Sequence, residues 1–167
     1  MSESCQSPTI RQVKDAGRLM AQANLDSVRL LQASAAYFPP AGGGATGPEK
    51  AKRSLCAGVD AVPHARIVND DKLKVHVKYL LRAKRGTSPQ SQLALRVSVL
   101  LELIYTLPEG LRPTSKEVSA FSKTNAMLNS WPYWREFVQN TVARMNLPPL
   151  TLPLFRLLPP IQKGKQP

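Results

Sequence analysis

Over residues 9–38 apolar side chains recur at helical spacing. At about 100° per residue, Ile10, Val13, Gly17, Met20, Val28, Leu31 and Ala35 gather on one side. Arg11, Arg18 and Arg29 line a neighbouring stripe. The pattern predicts an N-terminal amphipathic helix within residues 1–38, stopped by Pro39-Pro40. Such a helix serves as a surface helix, docks on a partner or lies on a membrane surface. An organelle transit peptide is a poor match, because Glu3, Asp15 and Asp26 are acidic.

Residues 69–146 carry the densest periodic pattern. Asn69-Asp70-Asp71 offers a cap, and a helix from there runs through Arg85 to Gly86. Ser88-Pro89 opens a second helix that ends near Thr106, before Pro108-Glu109-Gly110. Its apolar residues, from Leu93 through Leu100 to Ile104, nearly encircle it, which predicts a central, buried helix. A strand pair over Arg96–Tyr105 is the alternative; cap and length favour helix. Thr114 and Glu117 form a capping box for a helix over 115–128, and Ser130-Pro132 starts a last one, ended by Asn146 and Pro148-Pro149. The expected fold is all-α: a small antiparallel helical bundle over 69–146.

The flanks complete the organisation. Residues 39–68 read as a Gly/Pro-rich basic linker, because Gly42-Gly43-Gly44-Ala45-Thr46-Gly47-Pro48 holds no regular structure. Gly42 and Gly47 have phosphate-loop separation, but Pro48-Glu49 stands where Lys-Ser/Thr is required, so that reading is rejected. Residues 147–167 form an extended Pro-rich tail whose six prolines forbid helix. It is nevertheless rich in bulky apolar residues, which disordered tails normally lack. Leu154, Phe155, Leu157 and Leu158 are therefore the candidate partner-binding residues, with Phe155 as anchor.

Charge sharpens this picture. The net charge is +12, and +7 of it falls on residues 50–86. On a helix, Lys74, Lys78, Arg82 and Arg85 share about 80° of arc, and Leu73, Val77, Val75 and Tyr79 frame them. That stripe, with Lys50, Lys52 and Arg53 upstream, is the candidate nucleic-acid-binding surface. Cys5 and Cys56 make no disulfide framework and fit an intracellular reducing compartment. No secretory signal or membrane-spanning run is visible; Val97–Ile104 falls far short of the roughly 20 residues a span needs.

Candidate chemistry is sparse. Cys56, His64 and His76 fit no common zinc spacing, so no metal and no cofactor are expected. Ser115-Lys116 and Ser122-Lys123 are adjacent on helices and diverge, which is poor geometry for a serine–lysine pair. The expectation is a non-enzymatic subunit of a ribonucleoprotein or similar assembly. Its partners would be RNA phosphates and neighbouring proteins, with no small-molecule substrate. Two alternatives stay open: a scaffold subunit without nucleic acid, and a helix-turn-helix DNA binder over residues 115–145.

Overall fold

The computed structural model describes residues 8–39, 55–69, 71–85 and 90–157. Helix α1 (Ile10–Gln22) leads into strands β1 (Asn24–Tyr37), β2 (Leu55–Asn69), β3 (Lys72–Arg85) and β4 (Leu93–Thr106). Helices α2 (Ser115–Lys123) and α3 (Asn125–Arg144) follow. The strands form one antiparallel sheet in the order β1-β4-β3-β2. This corrects the all-α bundle, and with it the description of the chain as an all-helical basic protein.

The physical reason lies in the period. Along β3, Leu73, Val75, Val77, Tyr79, Leu81 and Ala83 are all buried, and the residues between them face the other side of the sheet. A cation at i, i+4 and i+8 shares one face in a helix and in a strand alike. Lys74, Lys78 and Arg82 therefore fit both periods, and the buried odd positions decide for the strand. In β4, Leu95, Val97, Val99, Leu101, Leu103 and Tyr105 alternate in the same way. Leu100, expected inside a central helix, is half-buried on the opposite face. Alternating β-branched residues suit a pleated sheet with one face covered.

The flanks also differ from expectation. The helix predicted to Phe38 stops at Gln22, and Asn24–Tyr37 pairs with β4. The segment read as linker contains β2, whose register places Pro63 opposite Val77 on an edge strand, where its missing N–H is tolerated. Both edges are long, and β1 is exposed almost throughout, with register shifts at Leu25/Ser27 and Leu30/Gln32. Such irregularities help keep a free edge from pairing indiscriminately.

The helices cover one face. Tyr79 stacks on Trp134 with ring centres 5.1 Å apart and meets the edge of Trp131 at 5.7 Å. Tyr105 meets Phe121 edge-on at 4.9 Å. Thr114 and Glu117 form the capping box that starts α2. α3 begins at Asn125 rather than Ser130, and carries Pro132 inside it. It ends where Asn146 takes a left-handed turn, φ 53°. Among the described residues no helix is long and apolar enough to cross a membrane.

Candidate functional site: a groove between β2 and α2

Edge strand β2 and helix α2 diverge enough to leave a groove of about 390 Å³. Pro63, His64, Ala65, Arg66 and Ile67 line it from β2; Pro113, Ser115, Val118, Ser119, Ser122 and Lys123 line it from α2 and its approach. Its apolar surface comes from Pro63, Ala65, Ile67, Pro113 and Val118. Serine hydroxyls and the cations Arg66 and Lys123 supply the polar part, and among the described residues none that lines the groove is acidic. Ile67 is 44% exposed and Val62, further along the same strand, is 54% exposed, so apolar surface remains unburied along this edge. The outer side of β2 has no neighbouring strand among the described residues. An edge with free backbone groups beside an apolar groove is suited to an extended peptide.

The α2 wall is held from two sides. Arg18 of α1 donates from Nε and Nη2 to the two carboxylate oxygens of Glu117, at 2.7 and 2.9 Å. Its Nη2 also donates to the Arg112 carbonyl at 3.1 Å. Lys116 pairs with Asp15 at 2.9 Å. Arg18, followed by the backbone and hydroxyl donors of Thr114, holds the Glu117 carboxyl at about 2, well below its ordinary value. On the sheet side, Ser122 donates to the Ser119 carbonyl, and Phe121 buries completely.

The basic residues read as a nucleic-acid stripe have other surroundings. Lys74 and His76 both lie 3.0 Å from Glu102, a buried carboxylate on β4. Those two partners, His76 foremost, lower the Glu102 pKa. Arg82 pairs with Asp60 of β2. Arg85 has the opposite parity from Lys74, Lys78 and Arg82; it donates to the Phe38 carbonyl and lies over the Tyr37 ring. The helical stripe thus separates into strand positions, and acids neutralise part of it. Lys50, Lys52 and Arg53 lie outside the described residues, as does Leu158. Among the described residues no group of His, Cys, Asp and Glu is arranged to hold a metal ion.

The tail residues fall elsewhere. Phe155 is half-buried, its ring 5.7 Å from that of Trp131, whereas Leu154 is 68% exposed. Leu157 is half-buried. Sequence reasoning missed the groove because it placed one wall in a linker and the other in a bundle. The signal that was present is weak: Val59, Ala61, Ala65 and Ile67 alternate through β2, interrupted by Pro63.

The four-stranded antiparallel sheet with helices on one face is shared with a solved structure, a SecB-like fold. The Rv1957 SecB-like chaperone of Mycobacterium tuberculosis, solved in complex with a ChAD peptide from the Rv1956 HigA1 antitoxin, superposes with a TM-score of 0.70. The match covers 86% of this chain and 97% of that one, at 23% identity. In sequence, 63 residues are 38% identical to SecB-like chaperone Rv1957 of M. tuberculosis strain H37Rv. SecB-like chaperone MT2006 of strain CDC 1551 matches equally. Each match spans 37% of this chain and 35% of the relative, so the chain covers about a third of the curated relatives' length. No protein-family model matches the sequence.

These findings overturn the ribonucleoprotein expectation and its RNA partner. The relatives are chaperones, and the solved one holds a peptide. They equally overturn the helix-turn-helix DNA-binding alternative. Helices α2 and α3 do lie in sequence on either side of Thr124, but Phe121, Trp131 and Trp134 are buried. A recognition helix would present polar side chains to base edges, and here Trp131 and Trp134 at its start are core.

Proposed function

We propose that this chain is a chaperone of the binding kind, without catalytic chemistry, that holds extended apolar segments of other proteins in the groove between β2 and α2. The observation that carries the reading is the groove itself: apolar surface beside an edge strand, with hydroxyls and cations and, among the described residues, no acid. A client backbone laid along β2 meets unpaired N–H and C=O groups, and its alternate side chains fall toward Ala65, Ile67 and Val118. Backbone pairing gives affinity with little sequence demand, which suits a protein that serves unfolded chains. Arg66 and Lys123 favour clients with an acidic residue next to their apolar ones, and the overall charge of +12 steers such clients in.

The experiment is aggregation suppression. A guanidinium-denatured protein is diluted into buffer with and without this chain, and light scattering is followed. The reading expects suppression at near-stoichiometric ratios without ATP. Unchanged scattering at a several-fold excess would refute it.

A further inference from the structure

Beyond the groove, the segment after α3 occupies a second surface. Residues 147–157 leave the left-handed turn at Asn146 and run outside the sheet, without helix or strand. Leu152 is 3% exposed, and Trp131 Nε1 donates to the Pro153 carbonyl at 2.9 Å. Leu154 points outward, and Phe155 lies against the Trp131 ring. The contacts thus use an apolar side chain, a backbone carbonyl one residue later, and an aromatic ring two residues beyond that.

We propose that the surface of α3 around Trp131 is a second peptide seat, which takes an extended apolar segment of a client and is filled at rest by residues 147–157. The inference rests on the chaperone reading above. Three features support the occupant. The chain's own tail, extended and apolar, shows what kind of segment fits. The indole donates to a backbone carbonyl, a group every peptide carries, so the polar contact does not depend on the tail's sequence. Residues 147–157 pair with no strand, so they can leave without unwinding the sheet. Prolines at 148, 149 and 153 stiffen it, which lowers the ordering entropy of rebinding.

The test uses a fluorescein-labelled peptide with the sequence of residues 147–157, read by anisotropy against three proteins: the full chain, the chain ending at Asn146, and full-length Phe155→Ala. The tethered tail competes at high effective concentration, so the full chain should bind the peptide at least tenfold more weakly than the truncated one. Phe155→Ala, which keeps the whole chain, should fall between them and guards against a truncation that fails to fold. A peptide carrying Phe155→Ala should lose at least tenfold in affinity, and a carboxymethylated, permanently unfolded protein should displace the native-sequence peptide. Absence of peptide binding to Phe155→Ala and to a truncated chain of unchanged circular dichroism would overturn the seat. Binding that the unfolded protein never displaces would overturn its role toward clients. Either result with aggregation suppression intact leaves the groove standing. Loss of suppression by every form defeats the chaperone reading itself and the client role of the seat with it.

Discussion

Arg18 of α1 lays its guanidinium across both carboxylate oxygens of Glu117 on α2, 99 positions later in the chain. Glu117 also accepts from Thr114, so one carboxylate ties the start of α2 to α1. Its pKa is about 2 in the folded protein, against an ordinary value of 4.5. A lowered carboxylate contributes stability that is fully present above its unfolded value and is lost as pH falls through its folded one. Docking of α1 should therefore weaken between about pH 4.5 and 2. Protection factors of the α1 amides, which correct for the intrinsic pH dependence of exchange, should fall as pH drops across that window. Glu117→Gln should already show fast α1 exchange at pH 6. Equal exchange rates in the two proteins at pH 6 would contradict the clamp. The pair is partly exposed, so solvent screening keeps its effect on global stability small.

Strand parity makes the second prediction. Leu103 is fully buried on the helix-covered face, and Leu100 is half-buried on the other. Leu103→Ala should cost about 2–5 kcal/mol, and Leu100→Ala about 1 kcal/mol or less. In a helix nearly encircled by apolar residues the two would cost alike. Denaturant midpoints with unchanged slopes decide between them.

The two helices α2 and α3 were legible because their signals are local. Thr114 and Glu117 are three residues apart, and Phe121, Trp131, Trp134 and Val138 mark the inner faces. The strands were not, because their evidence is long-range. Asn24–Tyr37 is rich in Ala, Ser and Leu, which carry little strand preference; it is a strand because β4 lies beside it in register. β3 misled by the coincidence of i+4 spacing in helix and strand, while Leu80 broke its alternation. The groove needs β2 and α2 together, about fifty positions apart, and no local pattern joins them.

A third prediction separates cations that the sequence made equivalent. Lys74 faces the buried Glu102, whereas Lys78 is exposed. Lys74→Ala removes the ammonium group at that carboxylate and should cost on the order of 1–3 kcal/mol. Lys78→Ala should stay within about 0.5 kcal/mol. Equal thermal midpoints for the two variants would contradict the placement of Glu102.

The aromatic core gives a fourth. Trp134 is fully buried and stacks on Tyr79. Trp134→Ala should cost about 3–5 kcal/mol and loosen α3 from β3. Tyr79→Phe keeps the ring but gives up the 2.8 Å bond to Ser130 Oγ; it should cost about 1 kcal/mol. Chemical denaturation followed by circular dichroism ranks them, and a Tyr79→Phe cost equal to that of Trp134→Ala would argue against the stacked core.

The groove itself is tested by filling it. Ser119 is an exposed groove residue on α2, so Ser119→Trp adds bulk there without entering the core. The measurement is the affinity of a fluorescein-labelled, carboxymethylated, permanently unfolded protein for the native chain and for Ser119→Trp. The account predicts binding by the native chain and a loss of tenfold or more in the variant, with the melting temperature unchanged. Equal affinities for the two proteins, or no binding by the native chain, would contradict it.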